Sequence, residues 1–129
     1  MFLVRWAAGL LFLGVAIGAF GAHGIRPYVS ADSYQAFHTG VEYLFYHAFA
    51  ILAVGIMLHC QLIAPAASKK IALTFTCGIL LFSGSLFLLS TRAISQWPIS
   101  FLGPVTPLGG LLFLAGWAQL FFAVKTKSN

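Results

Sequence analysis

The sequence predicts an all-α membrane protein: a bundle of four transmembrane helices with both termini in the cytoplasm. Three observations carry that expectation. First, 60% of the 129 residues are hydrophobic and only 7% are charged, whereas a soluble domain has about a quarter of its residues charged. The mean hydropathy is +0.97, so the surface suits lipid rather than water. Second, apolar runs cover about residues 2–22, 41–63, 71–89 and 107–124. Each matches the roughly 17–25 residues a helix needs to cross a bilayer, and none alternates in polarity as a barrel strand does. Third, the cations stand at the ends of these runs, where membrane proteins place them. The whole chain, 1–129, reads as one four-helix membrane domain.

Arg5 and the small residues around Ala19–Ala22 give the first run a loose likeness to a signal peptide. The run is long for a signal core and three further spans follow, so it is read as a permanent helix. Gly14, Gly18 and Gly21 fall on one face of it, a small-residue surface for close helix approach. That face serves either packing within the chain or a seam between copies. Pro27 closes the first connection.

Asp32 and Gln35 form a capping-box-like pair, which places the start of the second helix near Ser33. That start precedes the apolar run, so the helix projects past the bilayer surface or tilts, and Pro65 ends it. Gln35, His38, Glu42 and Tyr46 are spaced three, four and four apart and share a face. This polar stripe runs from the outer surface towards the membrane interior, with Tyr43 and His47 beside it. A carboxylate in lipid costs about 2.5–3.5 kcal/mol on insertion scales. Glu42 is therefore expected to turn into the bundle or sit at the outer interface, with His38, Arg26 or Arg92 as partner. The stripe is either a proton or cation site or a structural polar cluster pinning helix to helix.

Ser68 is the expected cap of the third helix, and Ser83, Gly84 and Ser85 offer hydrogen bonds and close contact across the bundle. Cys60 and Cys77 read as small buried apolar side chains, with no metal-binding spacing. Trp97-Pro98 and Gly103-Pro104 make the third connection irregular. Thr106 as N-cap and Pro107 at the first helical position start the fourth helix. Its opening segment, GPVTPLGG, either holds an anionic head group on free N–H groups or is simply capped, and Gly109 and Gly110 admit a neighbouring backbone.

Arg5, Lys69, Lys70, Lys125 and Lys127 gather at one end, and Arg26 and Arg92 at the other. The positive-inside rule then places both termini and the second connection in the cytoplasm. The net charge of +5 does not indicate nucleic acid, because no basic patch tracks phosphates. His23, His38, His47 and His59 show no pair at tight ligand spacing. A haem or metal would need two of them facing across helices. No metal site is predicted, and the sequence names no cofactor.

Four segments, IGAFGAHG (17–24), FHTGVEYLFYHAFAIL (37–52), LFSGSLFLL (81–89) and GPVTPLGGLLFLAGW (103–117), occur in this order along nearly the whole chain. Together they resemble the domain-of-unknown-function family 423, the YgdD/YwdK-like small bacterial membrane proteins related to transmembrane protein 256. The third motif usually continues with a tyrosine where this chain has Phe87. The resemblance implies a multi-pass protein of the bacterial inner (plasma) membrane with four helices. It implies no activity, and it draws attention to His23, Glu42, Tyr43 and His47.

Three functions follow as alternatives. The leading one is a small binding or assembly factor, docking through glycine-lined faces and holding a lipid or a partner subunit near its outer side. Its partners are the lipid bilayer and either further copies of the chain or another membrane protein. The second is a subunit of an oligomeric small-solute or proton-coupled transporter using the polar stripe. The third is a membrane redox protein or enzyme using His23 and His47. No catalytic constellation favours an enzyme.

Overall fold

The computed structural model describes residues 1–125, so Lys127 and its place in the charge count lie outside the described residues. The described residues form helices joined by short connections: α1 is Phe2–Phe20, α2 Ala31–His59, α3 Pro65–Ser90, α4 a single turn at Arg92–Ser95, and α5 Val105–Ala123. Four stretches are long and apolar enough to cross a membrane: Phe2–Tyr28, Ala31–His59, Pro65–Ser90 and Ser100–Ala123. In the two middle spans 39% of the most apolar window is buried, against 17% in the first and last. The molecule is thus a central α2–α3 pair with α1 packed on α2 and α5 on α3.

Glycines set how closely these helices approach. A Cβ on Gly14 would meet Leu44 at 2.8 Å, and one on Gly21 would overlap the ring of Phe37, so α1 is seated on α2 through its glycine face. Between α3 and α5 the fit is reciprocal. Phe113 lies over Gly78, Phe75 over Gly116, and the backbone of Phe82 against Gly109. Lipid tails are as apolar as leucine, so burying leucine does not hold transmembrane helices together. Close packing of this kind does.

The helix starts differ from those predicted, for local reasons. α2 begins at Ala31 with Ser30 as N-cap, its hydroxyl accepting from the Ser33 amide at 3.2 Å. The Asp32–Gln35 pair lies inside the first turns. α2 ends at His59, and Pro65 opens α3 rather than closing α2, because proline at the first helical position leaves no amide unsatisfied. Ser68 is no cap: it is buried one turn into α3 and donates to the Pro65 carbonyl at 2.8 Å. Likewise α5 starts at Val105, and the Thr106 hydroxyl is spent on Ser85 of α3, 2.6 Å away. After α1 the chain widens into a π-helical turn, Gly21–Ile25, and a 3₁₀ turn, Arg26–Tyr28. The Lys125 amide bonds the Leu62 carbonyl at 3.0 Å, so the end of α5 lies beside the α2–α3 connection.

Candidate functional site

The polar stripe and the buried histidine of α2 part company. Gln35, His38 and Tyr46 are exposed, Glu42 is half-exposed, and Phe49 and Ala53 continue the same outward face. The stripe therefore faces the bundle's surroundings and not its interior. His38 Nδ1 lies 3.7 Å from Glu42 Oε1, one turn apart. Among the described residues Arg26 and Arg92 form no ion pair with Glu42. Arg26 instead lies 5.4 Å over the ring of Tyr34.

His47 faces inward and is 4% exposed. Its ring stacks on Phe113, with centroids 3.4 Å apart and planes within 6°, and Phe75 and Tyr43 close around it. Both nitrogens are used. Nδ1 donates to the Tyr43 carbonyl at 2.8 Å, and Nε2 accepts from the Trp117 indole at 3.2 Å. In lipid each of these polar groups needs an internal partner. The pattern selects the tautomer with its proton on Nδ1.

His23 does not join this cluster. It lies exposed in the π-helical turn, its Nδ1 3.0 Å from the Ala19 carbonyl. Its near neighbour Gly21 packs on Phe37, ten residues before His47 and so about 15 Å along the α2 axis. The two histidines do not face each other. His47 would have to release the Trp117 indole before Nε2 could take a metal. Among the described residues no three His, Cys, Asp or Glu side chains are grouped to hold a metal ion.

The remaining candidates separate in the same way. Gly14, Gly21 and Gly109 are occupied by neighbouring helices, and Gly18 touches Val41 at 3.4 Å. Nothing lies within 4 Å of a Cβ placed on Gly84. Cys60 is exposed beyond the end of α2, not buried, while Cys77 is half-buried. Phe87 packs against Phe37, with tilted rings whose centroids are 5.0 Å apart, and covers Gly40, an apolar packing role that needs no hydroxyl.

What the sequence does not reveal is a groove. Because α5 packs on α3 and leans away from α2, a cavity of about 590 Å³ opens sideways between α2 and α5. Its floor is Phe82, Phe113 and His47, and its walls are Tyr43 and Tyr46 on one side and Gly110, Leu114 and Trp117 on the other. The volume falls in the ~300–1,000 Å³ range of small-molecule sites. Tyr46 belongs both to this wall and to the stripe, and Glu42, which does not line the cavity, lies one turn before it on α2. A Cβ on Gly110 would meet the Phe82 ring at 3.9 Å, an ordinary van der Waals contact that displaces nothing. Sequence reasoning noticed His47 and Trp117 separately. Their meeting joins residues 70 positions apart and has no local signal.

The profile of a family described as "Protein of unknown function (DUF423)" matches residues 17–110. The UPF0382 membrane protein YwdK of Bacillus subtilis (strain 168) is 37% identical over 123 residues, covering 95% of this chain and 94% of its own. A UPF0382 membrane protein of Haemophilus influenzae is 38% identical over 120 residues, covering 91% and 89%. The UPF0382 inner membrane protein YgdD of Escherichia coli (strain K12) is 35% identical over 127 residues, covering 98% and 92%. No solved structure matches the chain.

Proposed function

Since the chain belongs to the DUF423 family and is a multi-pass protein of the bacterial inner membrane, we propose that it is a small membrane binding factor whose site is the α2–α5 groove. The observation that carries this reading is the open aromatic groove; the Glu42 carboxylate, 3.7 Å from His38, lies one turn along α2 from its Tyr46 wall. An apolar chain fits the groove, and a head group that donates hydrogen bonds or carries positive charge suits Glu42 and His38. A lipid with an amine or hydroxyl head has both features. The glycine faces that would have served assembly are largely filled within the chain, so the groove carries the reading and a glycine seam does not.

Orientation belongs to the same proposal. Arg5, Lys69, Lys70 and Lys125 share one end, and the positive-inside rule makes it cytoplasmic. The groove then opens in the outer half of the bilayer.

Native mass spectrometry of the protein released gently from its membranes tests the reading. Wild type carries a bound lipid with an amine or hydroxyl head. Gly110→Leu fills the groove, and its occupancy falls about tenfold or more, the loss expected when ~1.4 kcal/mol of chain contact is removed. Thermal unfolding of that variant stays close to wild type, because a Cβ there meets no atom closer than 3.9 Å. Equal lipid occupancy in the two proteins would overturn the assignment.

A further inference from the structure

We infer that a second groove, at the opposite end of the molecule between α1 and α3, is a site for an anionic phospholipid. It rests on different residues and does not depend on the function proposed above. The cavity measures about 340 Å³ and is lined by Phe2, Trp6, Ala72, Leu73, Thr76 and Lys69. Its depth is fixed by the Trp6 indole, which crosses from α1 to donate to Thr76 Oγ1 at 3.0 Å. With that bond made, the walls offer an incoming molecule apolar surface and one cation. This is the pattern of an acyl chain with a charged head.

The sign of the head follows from the charge distribution. The chain's two acidic side chains, Asp32 and Glu42, both lie in the first half of α2, at the other end of the molecule. No acidic side chain is therefore available to neutralise Lys69 or Lys70. The start of α3 at Pro65, one turn before Lys69, adds the partial positive charge of its free N–H groups. Lys69 also borders a smaller cavity of about 130 Å³ beside Leu58 of α2. Lys70 borders one of about 220 Å³ between α3 and α5. Apolar hollows at this end thus meet a lysine, and the α1–α3 groove is the largest of them. A lysine stem lies along apolar surface while its ammonium reaches the head-group layer. The phosphate of an anionic lipid would sit on Lys69 with one chain against Trp6 and Leu73.

Trp6 supplies a local reporter. The full chain is placed in vesicles of phosphatidylcholine containing either brominated phosphatidylglycerol or brominated phosphatidylcholine. The Trp6 signal is the difference between wild type and Trp6→Phe. Phosphatidylglycerol should quench it preferentially. In Lys69→Gln that preference should fall about fivefold, the change one lysine at a membrane surface supplies. In Leu73→Trp, which fills the groove, native mass spectrometry should show loss of the bound anionic lipid. Equal quenching by the two lipids in wild type would overturn the inference. So would a phosphatidylglycerol preference that survives Lys69→Gln.

Discussion

Both lateral grooves are closed at depth by an indole N–H crossing to another span: Trp117 to His47 beside α5, and Trp6 to Thr76 beside α1. The acceptors differ. The Thr76 hydroxyl spends its own proton on the Ala72 carbonyl at 2.8 Å, so without Trp6 it loses a donor and leaves nothing uncapped. His47 Nε2 has Trp117 as its one partner among the described residues and lies within a stack of rings. One cross-link is a replaceable strut, and the other satisfies an atom with no other partner among the described residues. The nearby charges differ too: Lys69 lines the α1–α3 groove, and Glu42 lies one turn along α2 from Tyr46 in the wall of the other.

The largest effect expected from breaking this arrangement is at Gly109. A Cβ there would press on the backbone nitrogen of Phe82, which cannot rotate away. Gly109→Leu should therefore force α5 off α3 and destabilise the protein by about 3 kcal/mol, the upper part of the usual overpacking range. The adjacent Gly110→Leu should leave the unfolding temperature in detergent near wild type. If both variants unfold alike, the α2–α5 groove is not open as described.

The next effect separates the two indoles. Trp117→Phe keeps a ring but orphans His47 Nε2, at a cost of about 1–3 kcal/mol. Trp6→Phe removes a hydrogen bond between helices, which in membranes averages about 0.6 kcal/mol. Thermal unfolding of the two variants in the same detergent checks the order. An equal loss would show that His47 finds a substitute partner.

The spans were legible because hydropathy alone separates lipid-facing helix from connection, and the four apolar runs each became a span. The helix ends were less legible. Ser68 and Thr106 look like caps, but inside a membrane bundle a hydroxyl is as useful bonded to a carbonyl one turn back or to another helix. The direction in which the polar stripe faces was not legible for a related reason. Gln35 and His38 stand on the part of α2 that precedes its apolar run, and Glu42 at the very start of that run, where outward polar groups can reach the interface. His47, deeper along the helix, had to turn inward. The helical period groups residues onto a face but does not say which face meets the neighbours. That is decided by glycines such as Gly109 and Gly116, whose partners lie on another helix.

The smallest predicted effect concerns two serines on α3. Ser85 is tied to Thr106 at 2.6 Å, holding the start of α5 to α3 above the α2–α5 groove. Ser83 is fully buried, and its hydroxyl has no hydrogen-bond partner among the described residues. Ser85→Ala should cost about 0.6 kcal/mol, an average interhelical bond. Ser83→Ala should be neutral or stabilise by up to about 1 kcal/mol, because it removes a polar atom whose burial is uncompensated. Opposite signs in a detergent unfolding series would show that the cohesion of α3 with α5 comes from the Ser85–Thr106 bond and the glycine contacts. A loss at Ser83 as large as that at Ser85 would mean that its hydroxyl does find a partner in the membrane. The α2–α3 centre would then be held by polar contact as well as by close packing.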